Sequence, residues 1–502
     1  MSGDDRRTSA FEEVGLKKAV AALITEITEL YESDEIPWVV GYSGGKDSTA
    51  TLQLVWMALA AMPADRRRKP VHVISTDTLV ENPVVVGWVN ASLGRMQDAA
   101  DEAGLPVSVH RLTPDLTDSF WVNLIGKGYP APNPKFRWCT ERLKIHPSND
   151  FITGLAKANG QAIVVLGTRK AESHARAKAM ARTEAKRVRE RLSPNASLPS
   201  AYVYSPIEDW TNDDVWIFLN QNPNPWGISN KHLMNLYQGA SPDGECPLVI
   251  DTSTPSCGDS RFGCWVCTMV EKDRSMQAMI VNDSDKEWMR PLLEFRDRLA
   301  EEDRDKRDFR RMSGELTLYM RGGEYALIHG PYTQATREIW LRELLQAQSQ
   351  VRRAAPDDMK GISLISVEEL KEIRRIWVMD KHEIEDSLPR IYAEETGEPY
   401  PGDRIDDAMM LGEADIAVLR DVCGDDRLHF QLVRQLLSIE RKHRTMVKRP
   451  GIFREIEEAL RRGAYDSEGD ALRHAVARRN ALDGDGPPFD SAVPNGSEIS
   501  EP

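Results

Sequence analysis

The sequence predicts an α/β fold: a doubly wound, mainly parallel sheet, followed by a cysteine-rich segment and a helical C-terminal region. Three observations lead there. Short apolar runs without polar alternation recur through the first 230 residues, as strands buried on both faces of a parallel sheet do. Helical patterns separate these runs, which implies right-handed βαβ units. From about residue 286 onward the pattern is mostly helical.

In chain order, "FEEVGLKKAVAALITEITELY" (11–31) has the spacing of an amphipathic helix. "PWVVGY", "VHVIST", "VSVHRL", "AIVVLGT" and "AYVYSPI" are the expected strands. Thr211 in "WTNDDVWIFL" is an expected N-cap, with Asp213 and Asp214 in the first turn, where the helix dipole favours anions. "LSPNASLPSA" (192–201) reads as a loop. After residue 230 the chain turns irregular and rich in Pro, Gly and Cys. "REIWLRELLQAQSQVRRA", "SVEELKEIRRIWVMD" and "FREIEEALRRGAYD" then read as helices, and the tail "LDGDGPPFDSAVPNGSEISEP" as disordered. The domains expected are 1–230 for nucleotide chemistry, 231–285 for a metal segment, 286–480 for the helical region and 481–502 for the tail. No internal repeat is found.

The chain has 502 residues, 41% hydrophobic and 29% charged, as in a soluble globular protein. It contains no run of about 18 apolar residues, so no membrane-spanning helix is expected. The N-terminus "MSGDDRRTSAFEEV" lacks an apolar signal core, which points to the cytoplasm. A net charge of −14 excludes a simple basic nucleic-acid coat but not a local basic patch.

The stretch "SGGKDS", Ser43 to Ser48, follows a strand and opens a helix. It does not spell G-x-x-x-x-G-K-[ST], because Gly41 stands at the wrong distance from Lys46 and Asp47 follows the lysine. The physics is related. Gly44 and Gly45 let the backbone approach an anion, and the helix start supplies free N–H groups. Ser43 and Ser48 add hydroxyls, Lys46 a point charge, and Asp47 can face a magnesium ion on the same phosphates. A plain glycine turn is the bland alternative; strand, hexapeptide and helix together favour a nucleotide.

The six cysteines are Cys139, Cys246, Cys257, Cys264, Cys267 and Cys423. Four fall within 246–267, which argues for a metal centre over disulfides. Cys264-x-x-Cys267 suits zinc or iron–sulfur equally. Local spacing favours Cys246 as a further ligand, with Cys139 the other choice. Cys423 reads as a small buried residue.

The hexapeptide resembles the loop of the PP-loop ATP pyrophosphatases, which cleave ATP between its α- and β-phosphates and usually adenylate a substrate. "STDTLVENP" (75–83), "LGTRKAESHARA" (166–177) and "YSPIEDWTNDDVW" (204–216) resemble the phosphoadenosine-phosphosulfate reductase branch of that superfamily. Together with "RWCTERLK" and "GCWVCTMVEKDRSM", they resemble the DNA phosphorothioation family DndC over roughly residues 15–350. ATP with Mg2+ is then expected on Ser43, Gly44, Gly45, Lys46, Asp47, Ser48, Thr76, Asp77, Gly167, Arg169 and Arg176, with Lys46, Asp47 and Arg169 catalytic. A surface ion pair, Arg169 with Glu172 for example, is the plainer reading of the arginines. "FRWCTERLKIHP" resembles the cluster segment of iron–sulfur sulfonucleotide reductases, which implies a [4Fe–4S] cluster on Cys139, Cys257, Cys264 and Cys267, with Cys246 as substitute. Those reductases have Cys-Cys where this chain has Cys139-Thr140, so their adjacent-cysteine ligation does not carry over.

The DndC resemblance implies a DNA substrate, other Dnd proteins as partners and a cysteine desulfurase as sulfur donor. Residues 169–191 are locally basic, and Arg182, Lys186, Arg187, Arg189 and Arg191 are candidates for DNA phosphates, with a solvated or partner-docking face as the alternative. "RKHRTMVKRP" (441–450) is a weaker candidate. The rival activities are an assimilatory sulfonucleotide reductase, whose C-terminal E-C-G-x-H-type cysteine motif is missing from this sequence, a tRNA thiolase, and a non-catalytic nucleotide-sensing subunit of a defence complex.

Overall fold

The computed structural model describes residues 9–187, 189–241, 262–402, 413–444 and 446–483. The five expected strands form as β1 Trp38–Gly41, β2 Val71–Thr76, β3 Val107–Leu112, β4 Ala162–Val165 and β6 Ala201–Tyr204. They lie in the order β3-β2-β1-β4-β6, all parallel. The stretch read as a loop at 192–201 differs: Ser193–Pro194 is β5, a two-residue antiparallel edge strand on β6. Proline is tolerated there because an edge strand leaves N–H positions unpaired.

Side chains alternate across the sheet. Val39, Ile74 and Val164 face one side and pack with Ile152 and Ala156 of the helix His146–Asn159. Trp38, Val40, Val71, Val73, Ile163 and Val165 face the other, against α1 Leu16–Glu32, α2 Lys46–Ala61 and α3 Pro83–Glu102. Both faces are therefore covered, which is why the strands read as unbroken apolar runs. α1 starts at Leu16 rather than Phe11, after Gly15 at φ 78°.

Chain order sets the ligand position. From β1 the chain steps outward to β2 and β3, while β4 returns to the other flank of β1 and leads on to β6. The reversal lies between β1 and β4, and open parallel sheets bind ligands beyond the strand ends at such a reversal. Beyond β6, Thr211 caps the helix Asn212–Gln221 as expected. Its hydroxyl accepts the Asp214 N–H at 3.1 Å, and the Asp214 carboxylate accepts the Thr211 N–H at 2.8 Å.

The described residues form two compact units that cross the expected boundaries at 230 and 285. One comprises Met1–Phe120, Pro132–Ala300 and Ala347–Leu364; the other comprises Trp121–Ala131, Glu301–Gln346 and Ile365–Pro502. The first holds the six-stranded sheet. The second is mostly helical, as expected, and adds a hairpin, β7 Leu318–Arg321 with β8 Glu324–Leu327. Among the described residues no helix is long and apolar enough to cross a membrane. Residues 484–502, read as a disordered tail, lie outside the described residues.

Candidate functional site

β1 delivers the chain into the loop Ser43–Ser48, and α2 carries it away. Gly44 sits at φ +74°, where a Cβ would come within 2.4 Å of Val89 Cγ2; only glycine fits on both counts. The Trp88 indole N–H pins the turn by donating to Gly44 O at 3.0 Å. Ser48 Oγ accepts the Ser43 N–H at 3.2 Å and donates to Gly45 O at 3.0 Å, closing the loop on itself. No side chain caps α2 at Gly45, so its dipole opens toward the loop. The Lys46 N–H does have a partner, Tyr237 Oη at 3.3 Å. Burial, then the Asp47 carboxylate, push the Tyr237 phenol well up, so it stays a neutral hydroxyl.

β4 ends against this loop. A Cβ on Gly167 would lie 2.7 Å from both C and O of Asp47, so the two loops touch backbone to backbone. Arg169 follows, with 4% of its surface exposed. Its Nε donates to Asp47 Oδ1 at 2.7 Å and its Nη1 to Trp210 O at 3.3 Å. The expected surface pair of Arg169 with Glu172 is not what forms. Glu172 accepts the Arg169 backbone N–H at 2.8 Å, and its carboxylate lies 3.4 Å from Arg176 Nε. Asp47 is engaged twice, with its second oxygen 3.2 Å from Lys46 Nζ.

These loops open into a cleft of about 930 Å³. That is ample for a nucleotide. Thr76 and Asp77 at the end of β2 line it, as do Gly167, Arg169 and Arg176. Thr76 Oγ1 lies 3.1 Å from Ser148 Oγ, and Asp77 is ion-paired with Arg111. Apolar lining comes from Ile74, Val85, Val164 and Leu166. Each of the cleft carboxylates Asp47, Asp77, Glu81 and Glu172 already has a cation beside it: Arg169 and Lys46, Arg111, Lys144, and Arg176. Among the described residues the cleft therefore offers Mg2+ no ready carboxylate cage, and Asp47 faces Lys46 and Arg169. An ion carried in on the phosphates keeps most of its coordination from those phosphates and water.

The far wall of the cleft contains Glu81 and Lys144, 3.5 Å apart. Both reach the cysteines. Glu81 bridges Cys264 in an antiparallel backbone pair, and the Trp265 N–H donates to Val80 O at 2.9 Å. Thr78 Oγ1 lies 3.2 Å from Cys264 Sγ. Burial pushes the Cys264 thiol up to about 11, against the pull of Lys144. Burial also raises the Cys139 thiol, and Cys267 lies within electrostatic range of both Cys139 and Cys264. Lys144 is about half exposed, and the carboxylate of Glu81 beside it favours its ammonium form. Cys139 and Lys144 sit on one short segment that passes from α-helix at Trp138–Thr140 to π-helix at Glu141–Ile145.

Cys139, Cys264 and Cys267 thus share one neighbourhood. Cys257 and Cys246 lie outside the described residues, and among the described residues no three His, Cys, Asp or Glu form a metal-holding group. Cys423 is buried, as expected. Glu81, Arg111, Lys144, Ser148 and Tyr237 are site residues to which the sequence reading assigned no role. Glu81 and Lys144 stood inside motifs already singled out, whereas Tyr237 carried no sequence signal.

Of the candidates Arg182, Lys186, Arg187, Arg189 and Arg191, three are consumed internally. Arg187 pairs with Glu208 at 2.9 Å, Arg189 with Asp34 at 2.5 Å and Arg191 with Glu26 at 2.8 Å. In the weaker patch, Lys442 and His443 both meet Glu455.

Residues 37–269 match the phosphoadenosine phosphosulfate reductase domain family. Over that stretch, just under half of the chain, it is similar to a reductase-like domain of the PP-loop superfamily. An uncharacterized protein of Methanocaldococcus jannaschii is 26% identical over 245 residues, which is 49% of this chain and 39% of that protein. The chain thus aligns with well under half of that relative. Two structures of Candida glabrata FMN adenylyltransferase also match. One, with FAD and inorganic pyrophosphate, is 14% identical over 47% of this chain and 66% of the other, with a TM-score of 0.27. The second, a point variant, is 16% identical over 50% and 75%, again at 0.27.

Proposed function

We propose, from the premise that residues 37–269 form a reductase-like PP-loop domain, that the protein cleaves ATP to AMP and pyrophosphate to activate a phosphate for sulfur insertion. The observation that carries this reading is one continuous cleft. It is lined by the phosphate loop at Ser43–Ser48 and by Glu81 and Lys144, and Glu81 pairs through its backbone with Cys264. A plain kinase or nucleotide sensor has no need of thiols packed behind the wall of its cleft.

The residues divide the work. The loop amides and the start of α2 hold the β- and γ-phosphates, so charge growing on pyrophosphate meets fixed dipoles. Lys46 and the buried Arg169 add cations beside the same phosphates, and Asp47 fixes Arg169 in place. Thr76 and Asp77 at the end of β2 receive the adenosine. Lys144, on the cleft wall beside Glu81, offers a cation to an anion arriving from the cysteine side. Cys139, Cys264 and Cys267, with Cys257, have the donor chemistry of a [4Fe–4S] site, and such a cluster supplies a place to bind or carry sulfur when present.

The substrate we propose is a DNA backbone phosphate, the reading implied by the DndC resemblance of the motifs, with a desulfurase and other Dnd proteins as partners. A non-bridging oxygen of the diester attacks the α-phosphorus of ATP; the bond to the β-phosphate oxygen breaks and pyrophosphate leaves. Sulfide then attacks the DNA phosphorus, a P–S bond forms, and AMP departs with the oxygen. The sulfonucleotide reductase alternative calls for a reactive C-terminal cysteine, whereas the last cysteine, Cys423, is buried in the helix Glu413–Cys423. The test is anaerobic incubation of the intact protein with ATP, Mg2+, duplex DNA and sulfide. Pyrophosphate and AMP are expected in equal amounts, and ADP with inorganic phosphate would sink the proposal.

A further inference from the structure

We infer that the helix His174–Glu184 is a track for the phosphate backbone of duplex DNA at the rim of the nucleotide cleft. This deepens the proposed function and rests on its DNA reading. The stretch 169–191 has nine lysines and arginines against three glutamates in a chain of net charge −14. The structure sorts those cations into two sets. Six are held by carboxylates: Arg169 by Asp47, Arg176 by Glu172, and Lys170, Arg187, Arg189 and Arg191 by Glu184, Glu208, Asp209, Asp34 and Glu26. Lys178, Arg182 and Lys186 are exposed and have no ion pair among the described residues. Glutamates are therefore available in this region, yet these three positions are left open.

Spacing completes the pattern. His174, Lys178 and Arg182 follow one another at four-residue steps on the helix, advancing about 6 Å per step, and Lys186 keeps the spacing in the turn just past its end. The helix buries none of its residues. A helix with no buried residue is not there to complete a core. Its position is also specific: Ser173, its N-cap, and Arg176, in its first turn, line the nucleotide cleft. A strand of phosphates lying on the open cations is thereby led toward the place where one of them would react. Elsewhere the chain's net negative charge repels DNA, so the open row also sets the orientation of approach.

The experiment measures binding of a fluorescent duplex oligonucleotide to the full-length protein across a salt series. The track variant combines Lys178→Gln, Arg182→Gln and Lys186→Gln. Each phosphate contact contributes about 0.9 to the slope of log K against log salt. The variant is therefore expected to lose about two to three from that slope and at least about tenfold in affinity at low salt, while its binding of ATP alone stays unchanged. A double variant of the exposed α1 lysines, Lys17→Gln with Lys18→Gln, is expected to keep the wild-type slope, which separates the track from net charge. If wild type binds DNA and the track variant retains its slope, the track is wrong and the DNA reading stands. If wild type shows no salt-dependent DNA binding, both fall together.

Discussion

Asp47 sits one residue beyond the loop lysine, and in the fold it lies against both that lysine and Arg169. The motif at 166–177 marks Arg169 as a phosphate ligand, and the loop marks Asp47. Their pairing is not legible, because it spans 122 positions and exists only where β1 and β4 lie side by side. The consequence is measurable. Arg169 is almost fully buried, so Asp47→Asn leaves its guanidinium without a counter-charge in a place water barely reaches. Losing a charged hydrogen bond of this kind costs on the order of 2 kcal/mol. Asp47→Asn is expected to lower the thermal midpoint and to reduce pyrophosphate formation together. Full stability with lost activity would instead mean that Asp47 acts on the substrate or its metal directly, as the sequence alone suggested.

At the scale of elements, the five parallel strands were readable because burial on both faces leaves one kind of residue in each run. The edge strand Ser193–Pro194 was not, since two residues beside a proline carry no pattern. Nor were the π-helical turns at Val122–Lys127, Glu141–Ile145 and Ile376–Asp380, which depend on what packs against them. The last of these runs into a charged loop, where Arg337 meets Glu383 and Arg374 meets Asp386. Lys381 lies in that loop, and burial, aided by the Arg337 charge, pushes it down to about 8 from 10.5. Below about pH 8 its ammonium is charged in the folded and the unfolded chain alike, so the whole cost of burying it is present. Between about 8 and 10.5 only the unfolded chain holds the proton, and the cost is relieved as pH rises. Lys381→Met is therefore expected to be more stable than wild type at pH 7, with the gap narrowing across that window. Denaturant melts of both proteins at several pH values measure it, and a gap that stays constant or widens with pH would contradict the argument.

Across the whole molecule, the chain does not lay its units end to end. Trp121–Ala131 belongs with Glu301–Gln346 and Ile365–Pro502 among the described residues, although the sheet continues on both sides of it. A linear reading divides a sequence by changes in composition, and "WVNLIGKGYPA" looks like one more apolar stretch among strands. The ties that place it are distant in sequence. The Trp377 indole N–H donates to Ile125 O at 2.9 Å, and the Ala131 N–H donates to Tyr332 Oη at 3.0 Å. A Cβ on Gly126 would stand 3.2 Å from Ile376 Cδ1. Trp121, Val122, Leu124 and Ile125 are fully buried. A chain ending at Ala300 keeps all strands of the sheet and the described cleft, yet it removes the partners of this segment. Exposing four large apolar side chains at about 1.5–3 kcal/mol each costs on the order of 8 kcal/mol. That rivals the whole stability of an ordinary domain, about 5–15 kcal/mol. Residues 1–300 alone are therefore expected to be insoluble or to lack a cooperative melt. A soluble fragment that melts cooperatively, and whose midpoint rises with added ATP, would show that the sheet unit stands without the segments that interleave it.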